Sequence, residues 1–138
     1  MKPTIQTTFG NGDGSDGMPC GNCFSACIAS IFELPLESVP LFVLMGKSTG
    51  YGFEFHLNEW LEPYSLQSMY IFKKDGEWSG YLPNGYSIGT GLTSRGLYHS
   101  VVCLDGKQVW DPFPEDTPDP PDIEYYLYFA CTDPGKLK

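Results

Sequence analysis

The sequence predicts an α+β fold, in which an N-terminal helix bearing a cysteine packs on a C-terminal antiparallel sheet. Three observations predict it. Apolar residues recur at helical spacing in the first part of the chain, and after about residue 65 the period changes to two. Helices first and strands afterwards is the α+β order. The length of 138 residues, with 41% hydrophobic residues and no internal repeat, fits a single domain over 1–138 with a real core.

The elements follow in order. Residues 1–9 read as extended, with Gln6 as an isolated carboxamide. Residues 10–19 are rich in Gly and Asp and read as a flexible loop. Asn11, Asp13 and Ser15 fall short of a calcium loop, because Asp16 and Asn22 stand where its glycine and glutamate belong. Asn22 then reads as an N-cap. Phe24, Cys27, Ile28, Ile31 and Phe32 mark a helix over 23–34, stopped by Pro35. Residues 36–40 read as a short turn of helix, and 53–62 as a helix with Phe53, Leu57, Trp60 and Leu61 inward. Strands are predicted at 66–72, 86–91, 97–104, 107–110 and 125–131. The Pro/Asp-rich stretch 112–122 reads as a surface loop.

Composition excludes several functions. The formal charge is −9, with 8 Lys and Arg against 17 Asp and Glu and no basic cluster. Nucleic acid and anionic membranes both need a positive surface, so neither is an expected partner. No apolar run is long enough to span a bilayer, and residues 1–10 lack a secretory pattern. A cytoplasmic protein is expected. The five cysteines, an odd count, do not read as a disulfide framework. Cys27, Cys103 and Cys131 fall in apolar patterns and read as small buried hydrophobes. Cys20-Gly-Asn-Cys23 could be a redox pair or half a zinc site. No second CxxC or histidine cluster completes the latter, so no metal and no cofactor are expected. The aromatics Trp60, Trp78, Tyr125, Tyr126 and Phe129 read as core, and His56 as a packing or surface histidine.

The chemistry centres on Cys23. At a helix start, free N–H groups and the positive end of the dipole favour thiolate over thiol. Such a cysteine is a nucleophile if a histidine reaches it. His99 opens a strong strand, and Asp105-Gly106 turns the chain back toward Asp111. A two-residue turn would set His99 and Asp111 on opposite faces. A three-residue loop over 104–106 would set them opposite one another, with Cβ atoms about 4.5–5.5 Å apart. The three-residue loop is the expected one. Asp111 would then fix the tautomer of His99 and stabilise its imidazolium, and Asn at 111 would favour the wrong tautomer. The Cys23 amide and Gln6 are the candidate oxyanion donors. Candidate substrate contacts are Asn22, beside the nucleophile, Arg95, just before His99, and Trp110, on the face opposite Asp111. Arg95 could equally pair with one of the many acids.

Gln6, Gly21-Asn22-Cys23-x-x-Ala-Cys27, the His99 strand and Asp111-Pro112 stand in the order used by papain-like cysteine peptidases. The chain resembles most the compact bacterial members, the bacteriocin-processing peptidases and the NlpC-type hydrolases. Gly21-Asn22-Cys23, Leu34-Pro35-Leu36-Glu37-x-Val39-Pro40, Ser94-Arg95-Gly96, His99-x-Val101-Val102 and Asp105-Gly106-x-x-Val109-x-Asp111-Pro112 resemble small phage and bacterial proteins over residues 5–114. The resemblance implies a papain-like fold with Cys23 as nucleophile, His99 as base, Asp111 as orienting acid and Gln6 as oxyanion donor. It departs in two ways. Gln6 stands further ahead of the cysteine, with the glycine loop between, and Cys20 adds a second thiol. The implied activity is hydrolysis of a peptide, isopeptide or small amide through an acyl-enzyme, in the host cytoplasm if the chain is phage-encoded. Transfer to an amine would use the same triad. The alternative is a non-catalytic papain-like binding module that captures a host protein or a small signalling molecule. The sequence leaves the oligomeric state open.

Overall fold

The computed structural model describes residues 1–8, 21–74, 76–78, 82–114 and 118–137. The chain is α+β, with helices α1 (Cys23–Phe32), α2 (Phe42–Thr49) and α3 (Phe53–Leu61) preceding one antiparallel sheet. Its strands are β1 (Leu66–Lys74), β2 (Glu77–Trp78), β3 (Tyr86–Leu92), β4 (Tyr98–Leu104), β5 (Lys107–Trp110) and β6 (Asp122–Cys131). Their spatial order is β2-β1-β6-β3-β4-β5, so the last strand lies between the first and the third.

Both faces of the central strands are covered. On one face Cys27, Ile28 and Ala29 of α1 and Leu57 and Leu61 of α3 meet Ile88, Val102 and Leu127. Each of the large apolar side chains contributes about 1.5–3 kcal/mol by leaving water. Aromatic pairs close this core: Phe32 stacks on Trp60 with ring centroids 5.9 Å apart and tilts against Phe129 at 5.0 Å. Val101, Cys103, Tyr126 and Tyr128 occupy the other face, covered by Trp78 and Leu82 among others. Cys131 does not join either cluster. It is the last residue of β6 and exposed, contrary to its apolar context in the sequence.

The β4–β5 hairpin corrects the predicted loop. Leu104 pairs with Lys107, so the connection is the two-residue turn Asp105-Gly106. Both residues have positive φ (53° and 81°), the type I′ geometry whose twist matches antiparallel strands. The turn is held from outside, since Asp105 Oδ1 accepts from the Gly85 amide at 2.7 Å and the Tyr126 hydroxyl donates to the Gly106 carbonyl at 2.7 Å. The parity that His99 and Asp111 require comes from elsewhere. Cys103 pairs with Gln108, but Val102 pairs with Trp110, which leaves Val109 as an extra residue. This β-bulge shifts the register by one and puts Asp111 on the same side as Val101 and His99.

Residues 2–8 form a strap rather than a strand. The Lys2 amide donates to the Ser30 carbonyl (2.8 Å), the Thr4 amide to Ser30 Oγ (3.0 Å) and the Gln6 amide to the Pro112 carbonyl (2.9 Å). The strap therefore runs beside α1 and past the end of β5.

Candidate active site

Cys23 is the first residue of α1, half-buried, and α1 lies against β4. Its thiol is hydrogen-bonded to the His99 ring and to both the backbone and the hydroxyl of Ser100. His99 Nε2 lies 2.6 Å from Asp111 Oδ1. With Nε2 committed to the carboxylate, Nδ1 is the nitrogen left for the thiol. The same Asp111 oxygen accepts from the Phe113 amide at 2.9 Å, which fixes the carboxylate in place. Cys23, His99 and Asp111 thus come together from three separate stretches of chain.

The electrostatics favour an ion pair. Burial by itself pushes the Cys23 thiol up, but the hydrogen bond and charge of His99, together with Ser100, outweigh it and hold the thiol below its ordinary range. Burial likewise disfavours the His99 imidazolium. The hydrogen bonds and charges of Asp111 and Cys23 overcome that and raise it to about 9. Cys27, one turn further along α1 and wholly buried, is pushed the other way by burial and stays a thiol.

Asn22 differs from its expected role. Its side chain makes no capping hydrogen bond to α1. Instead Asn22 Oδ1 accepts from the Thr7 and Thr8 amides at 2.9 and 3.0 Å, and Nδ2 donates to the Thr7 hydroxyl at 2.9 Å. Two backbone donors arriving together satisfy one carbonyl oxygen better than a single helix amide would. Asn22 is 7% exposed, and three hydrogen bonds from its carboxamide fasten the strap. Asn22→Ala is expected to lower stability by about 1–3 kcal/mol, from three lost hydrogen bonds, read as a lower urea midpoint.

The strap carries Gln6 to the site. Gln6 is buried, and its Nε2 donates to the Thr8 carbonyl at 3.0 Å. The Asn22 amide donates to that same carbonyl at 3.1 Å, so the Gln6 carboxamide lies one shared acceptor away from the start of α1. Among the described residues Nε2 makes that one hydrogen bond and Oε1 has no partner.

Arg95 and Trp110 stand behind the triad rather than in it. Arg95 Nε is 2.8 Å from Asp119 Oδ2, and the guanidinium lies over the Phe113 ring at 4.8 Å. Phe113 in turn meets the His99 ring edge-on at 6.1 Å. Of the two sequence readings of Arg95, the pairing with an acid is the one observed. Trp110 packs against the helix-side core and donates from Nε1 to the Thr4 carbonyl at 2.9 Å, holding the strap from the other end. His56 is buried and its Nε2 lies 2.7 Å from the Thr49 hydroxyl, a packing role. Ser100 and Phe113 went unnoticed in the sequence. Ser100 was within reach of a parity argument, since strand alternation sets it with Val102 toward α1.

Cys20 and the Gly/Asp loop lie outside the described residues, as do residues 115–117 of the Pro/Asp stretch. Among the described residues no three His, Cys, Asp or Glu side chains are grouped to hold a metal ion, and no single helix is long and apolar enough to cross a membrane. Comparisons with protein-family models, with curated proteins and with solved structures found no match to this chain.

Proposed function

We propose that the chain is a papain-like cysteine hydrolase that cleaves a peptide, isopeptide or other amide bond through an acyl-enzyme. The observation that carries this reading is the Cys23 thiol at a helix start, joined to a histidine whose other nitrogen is 2.6 Å from a fixed carboxylate. The order of Gln6, Cys23, His99 and Asp111 in the sequence, and its resemblance to papain-like enzymes, supports the same reading. Cys23 thiolate attacks the carbonyl carbon and the C=O electrons move to oxygen. The oxyanion takes hydrogen bonds from the Cys23 amide and the remaining Gln6 Nε2 hydrogen. As the C–N bond breaks, His99 gives its Nδ1 proton to the departing amine, leaving a thioester. His99 then takes a proton from water, the hydroxide adds, and the C–S bond breaks to release the acid and restore the thiolate. Asp111 holds the ring and stabilises its charged form throughout.

The pH dependence tests it. The ion pair exists between the lowered pKa of Cys23 and the value of about 9 at His99. Alkylation of Cys23 by iodoacetamide, followed by mass spectrometry, is therefore expected to be fast below pH 7 and to slow markedly in His99→Ala. Turnover is expected to fall as pH rises through about 9, because neutral His99 has no proton for the leaving group. A thiol that titrates like a free cysteine near ~8.5 in both proteins would sink the hydrolase and leave the binding module.

A further inference from the structure

One row of side chains crosses the sheet at right angles to the strands and ends at Cys23. Phe72 of β1 pairs with Tyr125 of β6, Tyr125 pairs with Thr90 of β3, and Thr90 pairs with Ser100 of β4. The row is also linked through its hydroxyls: Tyr125 bonds Thr90, Thr90 Oγ1 lies 2.8 Å from Ser100 Oγ, and Ser100 bonds the Cys23 thiol. Above the row lies a cavity of about 640 Å³, lined by Phe72, Lys73, Thr90, Tyr98, Glu124 and Tyr125. Three inter-strand steps of about 4.8 Å give roughly 14 Å from Ser100 to Phe72, the reach of about four extended residues.

A second bulge shapes this cavity. Thr90 pairs with Tyr125 but Gly91 pairs with Ile123, so Glu124 is the extra residue in β6. Gly91 is required there, because a Cβ would stand 1.8 Å from the Asp122 carbonyl oxygen. The bulge turns Glu124 toward the same cavity as Tyr125, where its carboxylate accepts from the Tyr98 hydroxyl. The charge of the cavity is negative. Among the described residues Lys73 is the one cation on its lining, and its ammonium lies 5.3 Å from the Trp78 ring centre and 3.8 Å from Asp122. Glu54, on the first turn of α3, adds a second carboxylate that acts on Tyr125 and Tyr70. An aromatic floor with acidic walls suits an apolar side chain beside a cationic one.

We infer that this cross-sheet groove is the substrate-binding site, and that it takes an extended peptide segment with an aromatic side chain over Phe72 and Tyr125 and a Lys or Arg at Glu124. The inference rests on the hydrolase reading for its chemistry, but its test does not. Fluorescein-labelled peptides Gly-Phe-Arg-Gly and Gly-Phe-Glu-Gly are titrated with Cys23→Ala protein and followed by anisotropy. The Arg peptide is expected to bind at least tenfold more tightly. Glu124→Gln in the same background is expected to erase that difference, and Phe72→Ala to weaken both peptides. Phe72 and Glu124 are exposed, so both variants are expected to keep the fold, checked by circular dichroism. Equal binding of the two peptides, or a preference for Arg that survives Glu124→Gln, overturns the groove. Iodoacetamide labelling of the wild type judges the hydrolase separately: an activated Cys23 with no peptide preference loses the groove alone.

Discussion

Cys23→Ala is expected to abolish turnover down to the uncatalysed rate while leaving the fold intact. Among the described residues no other accessible thiol stands at the start of α1, so the loss is not graded. The fold survives because Cys23 is half-buried and the adjoining helix core is built from Cys27, Ile28 and Ala29. Removing the thiolate leaves His99 its carboxylate partner Asp111, so stability is expected to change little. A second readout separates this from damage. Cys23 is one of the two groups that raise His99 to about 9. In the variant the imidazole is expected to titrate lower, followed by NMR of its ring protons. Retained activity in a folded Cys23→Ala protein would remove the nucleophile from the proposal. An unmoved His99 titration would mean that the two side chains are not coupled.

Asp111 carries the second large effect, and here the geometry revises the expectation drawn from sequence. Asp111→Ala is expected to lower kcat by about 10³-fold, since the ring loses both its anchor and the charge that stabilises its imidazolium. Asp111→Asn is expected to be far milder, about tenfold. The oxygen that meets His99 Nε2 also accepts the Phe113 amide. That amide holds the Asn carbonyl oxygen in the same place, so the productive tautomer is kept and only the charge is lost. The charge loss has its own signature. The alkaline limb of kcat/KM, near 9 in the wild type, is expected to move to lower pH in Asp111→Asn. Equal losses in the Ala and Asn variants would show that orientation by Phe113 is not at work.

The legible parts of the sequence were those with a strong local period or a stereochemical stop. The apolar spacing over 24–32 and Pro35 delimit α1, and the alternation from Leu97 to Leu104 delimits β4. Helix α2 was not legible, because its eight residues carry Gly46, Lys47, Ser48 and Thr49 in their second half. Strand β2 has two residues, too few to show any period. At the site, the demand that His99 and Asp111 share a face was legible from parity, but the means was not. A turn and a bulge give the same parity as a longer loop, and Asp105-Gly106 fits either. Asn22 misled for a related reason. A carboxamide ahead of a helix can cap it or reach elsewhere, and only the position of Thr7 and Thr8 decides.

The bulge at Val109 has a consequence for how lineages of this chain can drift. Between the turn and Asp111, Lys107, Gln108 and Val109 are all exposed, so their identities are cheap to change. Their number is tied to the bulge. Pairing all four residues in strict alternation would set Asp111 opposite Ser100, on the far side of the hairpin from His99, whereas losing one residue together with the bulge would leave it opposite Val101. The hairpin thus behaves like a ruler, tolerant of spelling and strict about parity. Related chains that keep the chemistry should vary freely in the letters between Gly106 and Asp111 while keeping either four residues with a bulge or three without one.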